Sequence, residues 1–516
     1  MKRYGYISLV LTFALVGCKQ KPDMSVTYPE TYRSDSVLVF FGDTVVHPYS
    51  WLEAVQSDTT KAWLAVQDSL TSDYLSKIPF RAKIRKDLDS VDAYPRRQQM
   101  EKHGYAYYLF ENIDSCYNLY EMDSLGNKLR FLLDINTLSK ADSAMILNFR
   151  LSDNGRYLAY LFSTPKDSSG NNIRIRDVEL NQDLPETIDS VQYTWIAWKD
   201  NQLYYTFFDK DSKKWGIFCH QPNSLQDADS MFLHHYCINA SFSEDKRFLY
   251  LIDNSYFCIK PMDKPNSNLV YVFEKENIDG LDNIQNIGDD IYLLAYQDKY
   301  MKLNINSGKP QWDTIFSAGK GDFLSWACIV DDKIVASHLH NSYSRLYVYD
   351  MDGSNQTELP LPCIGTVRSS LIDNTTFYYD FSSFAVPSTL YRIQDIHRLE
   401  AQVFKVDNPN VRSEDFITEQ IWCTSKDSTR VPFFITYKKN MQRNGTNPIL
   451  LYGYGGFNNI MYPSFSPLFY SFFEKGGIFV RASLRGDGGF GKEWYEAGIK
   501  ENKQNTFDDF IAVAEY

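Results

Sequence analysis

The segment Tyr452-Gly453-Tyr454-Gly455-Gly456-Phe457-Asn458 sets two aromatic side chains, Tyr454 and Phe457, on a glycine-punctuated turn that follows the apolar run Pro448 to Tyr452. Glycines release the backbone where a strand leaves a sheet, and a turn of this kind builds a catalytic floor. A second unit of the same design follows, with Gly477 to Ala482 as strand and Arg485-Gly486-Asp487-Gly488-Gly489-Phe490-Gly491 as its exit. Two such strands predict one shared active-site edge. Hydrolysis by a serine needs a nucleophile, a histidine base, an orienting carboxylate and donors for the oxyanion. A G-x-S-x-G elbow is absent from the sequence. None of the eight histidines, at 47, 103, 220, 234, 235, 338, 340 and 397, stands near a glycine-framed serine.

Two other chemistries have partial signatures in the sequence. Gly486-x-Gly488-x-x-Gly491 after a strand matches a dinucleotide fingerprint, with Asp508 near the usual acidic spacing. That acid falls in a predicted helix, Thr506 to Tyr516, rather than at the end of a second strand, which argues against the reading. His338 and His340 alternate onto one strand face without a third ligand nearby, so no metal is expected, and no cofactor either.

The elements that would position this edge are of two kinds. Paired strand patterns begin near residues 105, 157, 203, 248, 291, 334 and 377, at intervals of 43 to 52 residues. Seven hairpins at that period predict a seven-bladed β-propeller rather than a β-sandwich pair or a helical solenoid. After it, Ile421 to Ile435 reads as two strands around a polar turn. Phe507, Phe510, Ile511 and Ala514 then form a helical apolar stripe that still needs a partner where the chain stops at Tyr516. Tyr49 to Ile84 reads as helical, with Trp51, Leu52, Trp63, Leu64, Leu70 and Tyr74 at near-helical intervals.

With 516 residues, 16% aromatic content and a formal charge of -12, the chain is long enough for two domains, is rich in strand formers, and is a poor candidate for nucleic-acid binding. Lys2 and Arg3 precede an apolar run from Ile7 to Val16 that is too short for a stable membrane span and reads as a signal peptide. The other seven cysteines, Cys116, Cys219, Cys237, Cys258, Cys328, Cys363 and Cys423, are scattered without a C-x-x-C pair.

Tyr452 to Asn458, Arg485 to Gly491 and Asn502-Lys503-Gln504-Asn505-Thr506-Phe507-Asp508-Asp509-Phe510 together resemble the prolyl oligopeptidase family of serine peptidases. Pro48-Tyr49-Ser50-Trp51-Leu52-Glu53 is similar to that family's N-terminal motif, with His47 where an Asp is usual. Gly455-Gly456-Phe457-Asn458 resembles the proline-specific branch, since the basic-residue-specific oligopeptidases usually carry Gly-Ser-Tyr there. Asp487 departs from the family, which has glycine at its position, and leaves the charge of that loop open.

The resemblance implies a seven-bladed β-propeller inserted in an α/β-hydrolase domain, with the propeller filtering substrates down to short proline-containing peptides cleaved on the carboxyl side of proline. It implies that Tyr454 donates to the oxyanion and that Phe457 lines the pocket for the proline ring. It divides the chain into a leader at 1–17, an N-terminal segment at 18–100 that packs on the hydrolase domain, the propeller at 101–405, and the first part of the hydrolase domain at 415–516. The triad and the backbone donor beside the nucleophile would lie beyond Tyr516, so the expectation is a truncated and inactive chain, with on the order of 200 residues missing from a hydrolase domain of ordinary size. A propeller lipoprotein that binds peptides or proteins without cleaving them is the alternative. Leu15-Val16-Gly17-Cys18 resembles a bacterial lipobox, which implies export and lipidation at Cys18, anchoring the protein to a membrane at the periplasm or cell surface.

Overall fold

The computed structural model describes residues 24–103, 106–113, 116–134, 145–163, 171–191, 195–209, 214–234, 239–252, 256–264, 267–274, 284–295, 299–305, 310–319, 321–369 and 375–516. Cys18 and the leader lie outside these, as do Cys237 and His235. The chain divides into two units, 1–90 and 91–516.

Strands such as Phe248-Leu249-Tyr250-Leu251-Ile252 are apolar at every position, and a strand of that kind is stable only where both faces are covered. It pairs antiparallel with Asn239–Phe242 on one side and Tyr256–Pro261 on the other, with Tyr250 opposite Ser241 and Ile259. Seven four-stranded antiparallel sheets are built in this way, each from strands consecutive in sequence. They start at Arg96, Met145, Ile196, Asn239, Gln285, Asp322 and Thr366, and are numbered here blades 1 to 7. Each predicted hairpin lies on the second and third strands of a blade. Blade 1 opens at Arg96 rather than at 101.

Neighbouring blades share apolar cores. Phe110 of blade 1 packs with Phe149 of blade 2, Trp198 of blade 3 with Ile175 of blade 2, and Val335 of blade 6 with Tyr379 of blade 7. Tyr107 and Leu109 of blade 1 meet Tyr378 and Leu390 of blade 7, which closes the ring as a propeller. At that seam the Tyr107 and Tyr378 hydroxyls are 2.8 Å apart. Arg97 of blade 1 binds Asp380 of blade 7 and lies 3.4 Å from Asp407, just past the last strand.

After the propeller, strands Phe416–Thr424, Arg430–Lys438, Ile478–Ala482 and Ile449–Gly453 form one sheet in that spatial order. The last two run parallel, with Leu451 opposite Val480. Side chains alternate across this sheet. Phe434 and Phe479 share a core with Tyr470 and Phe473 of helix Pro467–Glu474 and with Phe384 from a blade 7 turn. Val431, Phe433, Val480 and Ala482 instead pack with Val513 of helix Lys503–Glu515. Helices on both faces of a partly parallel sheet are the start of an α/β-hydrolase arrangement.

The strand Ile449–Gly453 departs from its sequence reading as a strand covered on both faces. It is the edge of the sheet, with Ile449 63% and Tyr452 42% exposed, because no further strand pairs with it among the described residues.

In the N-terminal unit, the expected helical stretch is a 3-10 turn, Ser50–Glu53, followed by helices Asp58–Ser76 and Arg81–Asp92. Ser57 caps the first helix by accepting from the Thr60 amide, which explains why the helix begins there. Pro79 lies in the break between the two helices. Trp51 and Trp63 meet edge to face at 6.5 Å. A hairpin, Val37–Phe40 with Asp43–Val46, precedes them and has no counterpart in the sequence reading.

Candidate active site

Because Ile449–Gly453 and Ile478–Ala482 are parallel, the two glycine-rich loops leave the sheet at the same edge, as the sequence predicts. The loops are fitted to each other through bare backbone. Gly455 has φ +59°, and a methyl there would sit 2.3 Å from Thr506 Cγ2. A methyl on Gly486 would lie 2.6 Å from the Gly455 carbonyl oxygen, and one on Gly488 2.5 Å from that of Asn458. The Asn458 amide donates to the Gly486 carbonyl at 3.3 Å. These glycines are closely packed by their own chain, which leaves no open cradle for a dinucleotide pyrophosphate.

Tyr454 and Phe457 lie together on the first loop, with ring centroids 6.4 Å apart. They are exposed, 45% and 83% respectively. Phe457 and Asn458 both adopt left-handed backbone, with φ of 55° and 57°. That conformation is costly for a bulky residue and persists where surrounding structure holds it, as it does at many functional sites.

Helix Lys503–Glu515 anchors both loops, a role that sequence reasoning missed. The Lys503 ammonium donates to the Gly455 carbonyl, and the Thr506 hydroxyl to the Arg485 carbonyl at 2.7 Å. Asp509 is wholly buried and accepts from Arg485 Nη2 at 2.7 Å, from the Arg485 amide at 3.1 Å and from the Ser425 hydroxyl at 2.6 Å. Arg485 also binds Asp427, and hydrogen bonds to the two carboxylates raise its pKa. The guanidinium in turn holds the Asp427 carboxyl down to about 2. The sequence signal was available in the spacing of Lys503, Thr506, Asp509 and Val513, which recur on one helical face.

The second loop also carries Asp487, whose side chain is 1% exposed. Burial pushes its carboxyl up to about 7, against the pull of the Gly489 amide, which donates to it at 2.9 Å, and of Arg481. Arg481 is also buried, and desolvation draws its guanidinium down to about 10. Its Nε and Nη2 have no hydrogen-bond partner, and the guanidinium lies 5.1 Å from the Tyr452 ring centroid.

The propeller docks on this same edge. The blade 6 turn Asn341-Ser342 meets Gly489, where a methyl would fall 2.1 Å from Ser342 Oγ, and Gln420 donates to the Asn341 carbonyl at 2.7 Å. Thr366 of blade 7 donates to the Pro463 carbonyl at 2.8 Å.

The histidines named in the sequence do not gather here. His338 is buried against Phe316 and Tyr349 inside the propeller, where burial lowers its pKa to about 4. His340 binds Asp322 instead, at 2.7 Å, so the two do not share a ligand site. Of the cysteines, Cys258, Cys328 and Cys423 are buried, Cys219 is partly so and Cys363 is exposed.

Comparison with known proteins agrees with the fold. Residues 29–406 match the family model described as prolyl oligopeptidase, N-terminal beta-propeller domain, and residues 463–516 match that of the prolyl oligopeptidase family. The Tyr454 loop falls between the two matched spans. Prolyl endopeptidases of Elizabethkingia miricola and Elizabethkingia meningoseptica are each 28% identical over the whole chain, which covers 76% of each relative. A structure solved in a study of two prolyl endopeptidases superposes with a TM-score of 0.76 at 27% identity, covering 95% of this chain and 74% of that one. Prolyl oligopeptidase B of Galerina marginata gives 0.78 at 25% identity, covering 95% and 77%.

Proposed function

This chain belongs to the prolyl oligopeptidase family of serine peptidases, and on that premise we propose that it is the propeller-bearing part of an endopeptidase that cleaves short peptides on the carboxyl side of proline. The observation that carries the reading is the Tyr454 loop. A phenol and a phenyl ring stand exposed side by side at the edge where two parallel strands end, on backbone held in a strained conformation.

In this mechanism the Tyr454 hydroxyl donates to the oxygen that becomes negative as the scissile carbonyl is attacked. A donor aimed at developing charge contributes about 10²-fold to 10³-fold in rate. Phe457 stacks on the proline ring and orients the carbonyl. The 516 residues hold no nucleophile elbow, so the part of the proposed machinery they carry is the oxyanion donor and the proline pocket.

The full-length product of the gene, assayed on matched peptides with Pro, Ala or Lys before the scissile bond, should cleave after Pro alone. Equal cleavage after Ala or Lys, or none at all, would sink the assignment.

We further propose export and acylation at Cys18, supported by Lys2 and Arg3, the apolar run behind them and the Leu15 to Cys18 sequence. Labelled palmitate should enter the expressed protein and be lost in C18S.

A further inference from the structure

Asp487 and Arg481 are two buried ionisable groups that the proposed chemistry does not use. Arg481 comes from the strand and Asp487 from its glycine-rich exit, yet no ion pair joins them. The Asp487 carboxylate oxygen Oδ1 and the Ser342 hydroxyl of blade 6 crowd the same point beside Gly489, at 3.3 and 2.1 Å from where a methyl on that glycine would stand. The Ser342 hydroxyl is buried without a hydrogen-bond partner. A neutral carboxyl carries a proton that such a hydroxyl can accept, whereas a carboxylate here is a buried charge with its nearest cation out of ion-pair reach.

We propose that Asp487 is a positioning residue: in its neutral form it bridges the glycine-rich loop to Ser342 of the propeller and thereby seats the Tyr454 loop, and its ionisation releases both. The path is continuous backbone contact. Asp487 accepts from the Gly489 amide, Gly488 abuts the Asn458 carbonyl, and Asn458 donates to Gly486. Asn458 is adjacent to Phe457 on the loop that carries Tyr454.

The charged groups that bear on Asp487 are Arg481 from the strand, which favours ionisation, and Asp509 from helix Lys503–Glu515, which opposes it. Blade 6 contributes the uncharged Ser342 turn. Burial raises the carboxyl to about 7, so the closed loop holds the proton more tightly than an opened, solvated one. By linkage, opening becomes easier as pH rises from about 4 towards about 7.

This rests on reading Tyr454 and Phe457 as the catalytic edge, but its test needs no turnover. Hydrogen exchange of the 516-residue chain, corrected for intrinsic rates, should show protection of residues 454–460 falling at least about fivefold between pH 5 and pH 8, which is roughly the weight of one hydrogen bond. D487N should keep its protection at pH 8, and R481M should deepen the fall by removing the cation. Should D487N fail to fold, D487G, with the residue usual in the family, is read in its place and should show no pH step. The same fall in the Asp487 variant, or a wild-type change within about twofold, overturns the proposal. Failure of the full-length enzyme to cleave after proline would instead overturn the peptidase reading and leave this exchange result standing.

Discussion

The Arg485 guanidinium and the Asp509 carboxylate meet in the interior of the α/β portion, the one 4% exposed and the other fully buried, and so join the exit of a strand to the middle of the C-terminal helix. Removing one member of such a pair leaves the other charged and desolvated. Asp509→Ala should therefore lower stability by about 3–5 kcal/mol, far more than the loss of a surface ion pair. Urea unfolding followed by tryptophan fluorescence measures it, and a loss below about 1 kcal/mol would show that the pair is not structural.

Tyr454 is 45% exposed, so loss of its hydroxyl should be felt in rate rather than in stability. In the full-length enzyme, Tyr454→Phe should lower kcat by about 10²-fold to 10³-fold with KM and melting temperature nearly unchanged. Phe457→Ala should act on discrimination, reducing the preference for Pro over Ala by roughly 10-fold or more.

Gly455→Ala tests the fit of the two loops. The substitution forces a side chain into left-handed backbone and against Thr506, and should cost about 1–3 kcal/mol. Thermal melting of the variant against wild type reads this, and an unchanged midpoint would mean that the helix can give way.

At the propeller seam, burial raises the Asp407 carboxyl to about 6 despite Arg97 and Lys405, with Asp380 and Glu111 opposing ionisation as well. The folded state keeps this proton to about pH 6, while an unfolded chain releases it near pH ~4, so the folded state binds more protons between those values. The contribution of Asp407 to stability therefore falls as pH rises through that window. Asp407→Asn should flatten this part of the stability profile, and a slope identical to wild type would assign it to other groups.

The edge strand Ile449–Gly453 and the outer face of the last helix, with Phe507 and Ile511 more than half exposed, leave apolar surface uncovered. Hydrogen exchange in the isolated 516-residue chain should be faster across 447–516 than in the central strands of the blades. Uniform slow exchange throughout would contradict this.

The propeller was legible because the inner strands of each blade, such as Phe248–Ile252 and Phe377–Ser383, are covered on both faces and so are continuously apolar. Outermost strands such as Gln311–Ser317 and Thr357–Leu359 are short or half exposed, and carry too little pattern to read. The glycine frame was legible as a turn that brings Tyr454 and Phe457 together. Their anchors were not, because Ser425, Arg485 and Asp509 are far apart in sequence and meet only when helix Lys503–Glu515 covers the sheet. Asp487 was visible as a departure, but its burial and its neighbour Ser342 depend on where blade 6 docks.

The closing contact of the ring, Arg97 beside Asp407, brings the start of the first strand, which opens at Arg96, and the end of the last, which closes at Val406, within one ion pair of each other. A host domain that receives such a cassette has to part its chain by little more than the width of one ion pair. The insertion then behaves thermodynamically like a short surface loop, with almost none of the closure entropy that its length would suggest.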